Sequence, residues 1–280
     1  MSLSRLPVTV VVPVKNEEAN LHACLSQLSS FEQIVVVDSS STDRTPEIAA
    51  EFGAKYLNFT WDGKFPKKRN WVLTNHPPET DWVLFLDADE IIDQTFCDEL
   101  AETLAVTKHS AFWLNFSNYF LGKELKHGVP QRKLALFRVG SGLYERIEED
   151  GWSTLDMEIH EHPVIEGSVG EIKAQIEHND DRGISKFIER HRNYAMWEAK
   201  RVKTLRAKGA EMFDDLTPRQ RSKYKNIDKW WFCWSYFVLT YVIRLGFLDG
   251  RTGFDYAFYK FWYFRTIRLM IEDDRRGAVS

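Results

Sequence analysis

An alternation in the first hundred residues constrains this chain most. Short β-branched or apolar runs at 8–12, 33–38, 54–59 and 82–86 alternate with segments of helical character at 18–28, 45–52 and 67–75. Leu21, Leu25 and Leu28 share one face of the first of these, and Thr45-Pro46-Glu47 reads as the opening of the second. Strands and helices alternating at this spacing predict a parallel, doubly wound sheet.

Further along, a helix is expected to about residue 107, then strands at 111–120 and 133–138 with a turn at Gly122-Lys123. Residues 140–181 are irregular and rich in Glu, Asp, His and Gly, which predicts a loop-heavy region of the kind that carries sites. Helical spacing returns at 184–207, and Thr217-Pro218 reads as the start of a last helical section. No internal repeat or low-complexity tract interrupts the pattern. The three cysteines, Cys24, Cys97 and Cys233, lie far apart and suit a reduced protein better than a disulfide scaffold. Residues 1–14 do not read as a signal peptide, since Pro13 and charges break the apolar run.

In an open parallel sheet, ligands bind beyond the carboxyl ends of the strands. Two predicted strands end in acids, Asp38 and Asp87. The first strand lacks a Gly-x-Gly-x-x-Gly turn, and no Gly-x-x-x-x-Gly-Lys loop follows, so phosphates would be held another way. Asp87-Ala88-Asp89 offers one. Two carboxylates one residue apart after a buried strand can reach a hard divalent cation, Mg2+ or Mn2+, which would share diphosphate oxygens. A helix N-terminus decorated with acids is the structural alternative. An EF-hand fits poorly, because Ile91 and Ile92 occupy places where that loop needs a ligand and a glycine.

Four phrases occur in order: Val-Val-Pro-Val-Lys-Asn-Glu (11–17), Ile-Val-Val-Val-Asp-Ser-Ser-Ser-Thr-Asp (34–43), Lys-Lys-Arg-Asn (67–70) and Asp-Trp-Val-Leu-Phe-Leu-Asp-Ala-Asp-Glu (81–90). Together they resemble family 2 glycosyltransferases of the GT-A fold, closest to bacterial β-1,4-glucosyltransferases of lipopolysaccharide core or exopolysaccharide. The phrase Arg-Leu-Gly-Phe-Leu-Asp-Gly-Arg-Thr-Gly-Phe (244–254) is similar to one near the end of such enzymes. The resemblance implies a mixed, mainly parallel sheet flanked by helices, with a C-terminal amphipathic, aromatic helical hairpin. It also implies a catalytic domain over 1–215, with a nucleotide-sugar half (1–107) and an acceptor half (108–215), and a helical region over 216–280.

By position, the resemblance assigns Asp38 to the uracil N3–H and Pro13 and Val14 to the base pocket. Glu17 falls near the ribose, Arg69 by the base or phosphates with Lys68 as helper, and Asp87 with Ala88 at the ribose or metal. Asp89 is the principal metal ligand. The bland readings are helix or turn capping for Asp38, a first-turn acid for Glu17 and a solvated helix face for Lys67, Lys68 and Arg69. An inverting transfer needs one general base. Glu161, in His160-Glu161-His162, is preferred, with Asp150 and Glu149 as alternatives. His178 is a further candidate for the metal or diphosphate, against a structural histidine. The implied activity moves a hexose, glucose first, from a UDP-sugar to a glycan or lipid-linked glycan. Sugar-phosphate nucleotidyl transfer and a non-catalytic scaffold are the alternatives.

Charge is unevenly spread. From Arg219 to Ser280 there are 12 Lys/Arg and 6 Asp/Glu, so the tail is +6 while the rest is −10. Residues 230–243 are uncharged and aromatic, about 21 Å as helix, short of a bilayer span. Lysines and Arg244 flank them, which suits an interfacial position on the inner face of the cytoplasmic membrane. Such a position would bring the site to a lipid-linked acceptor. Packing on the catalytic domain or a homodimer through these helices is the competing reading. Nucleic acid is not expected as a partner, since the basic residues accompany a hydrophobic stretch.

Overall fold

Leu6–Val14 forms β1, and eight of its nine residues are buried, as a strand covered on both faces requires. The computed structural model describes residues 5–147, 149, 156, 162–178, 183–214 and 216–277. After β1 come α1 (Leu21–Ser26), β2 (Phe31–Asp38), α2 (Thr45–Glu51), β3 (Lys55–Asn58), α3 (Lys68–Asn75), β4 (Trp82–Phe85), β5 (Glu90–Ile91) and α4 (Gln94–Val106). Then follow β6 (Ala111–Phe120), β7 (Lys123–Leu125), β8 (Gln131–Arg138), β9 (Gly142–Tyr144), β10 (Pro163–Ile165) and β11 (Val169–His178). The remaining helices are α5 (Gly183–Ala207), α6 (Pro218–Asn226), α7 (Phe232–Phe237) and α8 (Gly250–Gly277).

By internal contacts the chain forms two units, residues 1–117 with 131–179, and residues 118–130 with 180–280. The first is built on a sheet of order β3-β2-β1-β4-β8-β6-β11-β5. β3, β2, β1 and β4 are mutually parallel. The chain runs outward from β1 to β3 and then returns to place β4 on the other side. That reversal makes a switch point at the carboxyl end of β1. The expected parallel character stops at β4, because β8 joins it antiparallel, β6 joins β8 antiparallel and β5 joins β11 antiparallel. The sheet is mixed and flanked by helices, as the GT-A reading expected.

The described residues between 140 and 178 include three strands, β9, β10 and β11, that the composition did not predict. β11 contributes ten residues, with Ile172 and Ile176 fully buried and charged residues between them. This is ordinary period-two patterning, hidden by the density of Glu, Lys and Gln.

The second unit gathers α5 with the C-terminal helices, although the helical segment at 184–207 was expected to belong with residues 1–215. Ala195, Val202 and Leu205 of α5 pack in one cluster with Tyr263, Ile267 and Ile271 of α8. Thr217 starts α6 with a reciprocal capping box to Gln220. α7 continues as a π-helical segment over Val238–Ile243, turns at Leu245 (φ 58°), and makes a 3-10 turn over Gly246–Asp249 before α8.

Candidate active site

Backbone register brings the acids together. Val14 on β1 faces Asp38 on β2, and β4 runs beside β1 with Val11 facing Phe85. The loops after β1 and β2 are laced to each other. Asn16 takes a left-handed φ of 55°, its N–H donates to Ser41 Oγ (2.7 Å), and its side-chain oxygen accepts from Thr42 N–H (2.9 Å). Glu17 N–H donates to Thr45 Oγ1 (2.9 Å), while the Glu17 carboxylate accepts from Asn20 Nδ2 (2.8 Å). Pro13 and Val14 are buried beneath this lacing.

Asp38 is wholly buried. Its oxygens accept from Ser41 N–H (3.1 Å), Ser41 Oγ (2.6 Å) and the Tyr56 hydroxyl (2.6 Å). Burial, and then the bond to Asp38, push the Tyr56 hydroxyl up to about 12. Three donors leave little of a carboxylate's acceptor capacity over, so Asp38 performs the turn-capping role here, whatever else it does.

The first turn of α3 is unusual in being buried. Lys68 is 2% exposed, donates to the Val14 carbonyl (3.0 Å) and faces Asp156 at 3.6 Å. Burial depresses its ammonium pKa, and Asp156 opposes that. Asp156 also accepts from Ser39 Oγ. The reading of Lys67 and Lys68 as a solvated helix face is therefore corrected: both side chains lie under the loops. Lys67 forms a buried ion pair with Glu149.

Arg69 reaches the carboxylates, donating from Nη2 to Asp87 Oδ1 (3.0 Å) over the ring of Tyr144. The other oxygen of Asp87 accepts from Lys133 Nζ (2.7 Å), which also contacts the buried carboxylate of Glu90. Glu90 in turn accepts from Asp87 N–H (2.9 Å). Burial alone would raise the Asp87 carboxyl pKa, but Lys133 and Arg69 hold it well below the usual range. Burial raises Glu90, against the pull of Lys133.

Ala88 is buried, and Asp89 turns the other way. Its Oδ2 lies 3.6 Å from His178 Nε2, because His178 at the end of β11 pairs with Glu90 on β5. Burial acts to lower the His178 pKa, and the Asp89 carboxylate outweighs it, leaving the imidazole above its ordinary value. The acids thus divide. Asp87 is held by two cations, whereas Asp89 faces the imidazole of His178. Among the described residues no group of three or more His, Cys, Asp or Glu side chains forms a ready metal cage.

A model of Glycosyl transferase family 2 matches residues 9–158, more than half of the chain. The chain belongs to that family. The candidate site falls in the matched region except for His178 and Glu161. The lipopolysaccharide core biosynthesis glycosyltransferase LpsC of Rhizobium meliloti is 28% identical over 180 residues, 61% of this chain and 62% of the relative. The match therefore spans less than two thirds of that relative's length. An uncharacterized glycosyltransferase of Rickettsia typhi is 23% identical over 98% of this chain and 90% of its own. Glucosyl-3-phosphoglycerate synthase from Mycobacterium tuberculosis, solved with Mn2+, UDP and glucosyl-3-phosphoglycerate, is 25% identical over 41% of this chain and 44% of that one, with a TM-score of 0.32.

Of the residues singled out from this family 2 sequence, Arg69, Asp87, Asp89 and His178 are brought together, with Asp38, Lys68, Pro13 and Val14 along the adjoining strand ends. Glu161 and Asp150 lie outside the described residues. Glu90, Tyr56 and Asp156 had no signal of their own. Lys133 bridges two acids, Asp87 and Glu90. The β4–β8 register, in which Trp82 faces Arg138 and Leu84 faces Leu136, continues to set Lys133 opposite Asp87.

Proposed function

We propose that the chain transfers a hexose, glucose in the first instance, from a UDP-sugar to a hydroxyl of a lipid-linked or lipopolysaccharide/exopolysaccharide acceptor, with inversion and with Mg2+ or Mn2+. The approach of Asp89 to His178 carries this reading. At 3.6 Å the two are close to the roughly 3 Å that separates neighbouring ligands of an octahedral cation. A carboxylate with an imidazole favours Mn2+ over Mg2+, and two protein ligands leave positions for phosphate oxygens. When bound, the cation offsets charge on the departing diphosphate.

This chain's own residues supply the rest. Arg69 and Lys133 fix Asp87, so Asp87 serves the ribose rather than the metal. Asp38 closes the base pocket with Pro13 and Val14, and Glu17 lies toward the ribose. The acceptor hydroxyl attacks from the face opposite the diphosphate and gives its proton to a carboxylate. Glu161 is that base, with Asp150 next. Glu149 ranks last, because its carboxylate is engaged by Lys67. Glu161→Gln is expected to lower kcat by about 10²–10⁴-fold while UDP-sugar binding persists. Glu149→Gln should instead cost stability. The reverse pattern would move the base to Glu149.

The acceptor class rests on the name of the Rhizobium relative, and family membership favours glycosyl over nucleotidyl transfer. The test is a panel of nucleotide sugars with Mn2+ in thermal unfolding. A UDP-sugar at about a hundred times its Kd should stabilise by about 2.7 kcal/mol. No response to any uridine nucleotide would overturn the donor, and release of pyrophosphate would replace the reaction with nucleotidyl transfer.

A further inference from the structure

The second unit turns apolar surface outward between residues 229 and 258. Trp230 is 66% exposed, Ile243 64% and Leu248 56%. α7 with its π-helical extension packs antiparallel to α8. Trp234 meets Phe261 at 4.5 Å, and Tyr241 meets Phe254 at 5.6 Å. Those ring contacts close the inner faces. Trp234, Val238, Val242, Phe254 and Phe258 nevertheless remain exposed in large part. At the closed end Ile243, Leu245, Phe247 and Leu248 form an exposed tip.

Several backbone groups of the tip are paired within the protein. Arg244 N–H donates to the Leu239 carbonyl (2.9 Å), Leu248 N–H to that of Leu245 (2.9 Å), and Gly128 N–H to that of Arg244 (2.8 Å). The turn needs glycine, since a Cβ on Gly253 would stand 2.0 Å from the Gly246 carbonyl oxygen. Internal pairing is what a segment entering hydrocarbon requires. Among the described residues no single helix is long and apolar enough to cross a membrane, and the helix pair that passes together is bent by 69°.

The exposed charges around the tip are positive, with Glu124 and Asp255 half-buried among them. The exposed charged residues over 229–258 are Lys229, Arg244 and Arg251. Asp249 is buried, and Asp255 is half-buried, 3.8 Å from Arg251. Asp249 draws two further cations to the tip. Its carboxylate accepts from the N–H groups of Lys126 (3.2 Å) and His127 (2.9 Å), and its carbonyl accepts from Lys123 Nζ (2.8 Å). The exposed Lys123 and Lys126 thereby stand beside it.

We propose that this tip seats in one leaflet of an anionic bilayer, with Phe247 and Leu248 among acyl chains and Lys123, Lys126, Arg244 and Arg251 on phosphate headgroups. A second copy fits the patch less well than lipid. In a two-fold contact the patch meets itself, and its cations would face the same cations. The proposal uses the second unit alone and stands apart from the donor-site reading.

The test is co-sedimentation of the full chain with vesicles of phosphatidylcholine alone and of phosphatidylcholine with a quarter phosphatidylglycerol. Binding to the anionic vesicles, weakened by salt, is the expected result. Phe247→Ser/Leu248→Ser should lower the partition coefficient at least about tenfold. Arg244→Gln and Arg251→Gln should each lower it about fivefold, on anionic vesicles only. The arginine variants lie on the surface and keep the test valid if the double variant fails to fold. Absence of wild-type binding, or binding indifferent to all these changes, would overturn the proposal. So would a wild-type dimer that Phe247→Ser/Leu248→Ser converts to monomer, which would assign the patch to self-association.

Discussion

Asp89→Ala is expected to reduce metal-dependent sugar transfer, and hydrolysis of the sugar nucleotide, by about a thousandfold. Arg69 and Lys133 pair with Asp87, whereas Asp89 faces His178, so loss of Asp89 leaves those two ion pairs in place. The unliganded variant should therefore unfold within a few degrees of the wild type. What should vanish is the additional stabilisation by UDP together with Mn2+, because the proposed cation would lose its carboxylate and keep only the His178 imidazole. Undiminished turnover in this variant would remove Asp89 from the mechanism. Asp87→Ala makes the useful contrast. It removes the carboxylate that Arg69 and Lys133 share, so it should lower melting temperature and activity together. The two acids one residue apart are thus separable by whether a loss of activity comes with a loss of stability.

The sequence made the parallel half of this site legible because its cues are local. A buried strand followed by a carboxylate can be read from a few residues, and Asp38 and Asp87 stand where that reading put them. The antiparallel half is not local. Lys133 reaches Asp87 from 46 residues away, through the register of β8 on β4, and His178 reaches Asp89 through the pairing of β11 with β5. Neither pairing has a motif. β11 was obscured further, because its inward residues Gly170, Ile172, Ala174 and Ile176 alternate with charges and include two small side chains. Lys67 and Lys68 misled for a different reason. A cationic pair at a helix start normally faces water, and only the fold brings Glu149 and Asp156 to meet it. Glu161 lies in a segment with no strand or helix signal, so its role rests on resemblance alone.

Lys133→Ala should produce the largest loss of stability among the site variants. It leaves the carboxylates of Asp87 and Glu90 neighbours in a buried setting, with Arg69 the remaining cation on Asp87. Breaking a buried pair costs about 3–5 kcal/mol, but the Lys133 side chain is 38% exposed, so about 2–3 kcal/mol is expected after screening. That corresponds to roughly 5–10 °C in melting temperature. The pH dependence supplies the sign. Asp87 is depressed in the folded state, so its contribution is present above the ordinary carboxylate pKa of about 4 and is lost as pH falls through the depressed value. Glu90 is raised, so it favours folding at low pH and disfavours it as pH rises through its folded value. Removing Lys133 weakens the first effect and strengthens the second. Wild type and variant should then differ most near neutral pH and converge in acid. Glu90→Gln keeps an acceptor for the Asp87 N–H while removing one charge, so Lys133→Ala/Glu90→Gln should recover more than half of the loss. Urea unfolding across pH 4–8 measures all three proteins. Equal losses in the single and double variants would mean that Lys133 acts through packing rather than by neutralising the pair of acids.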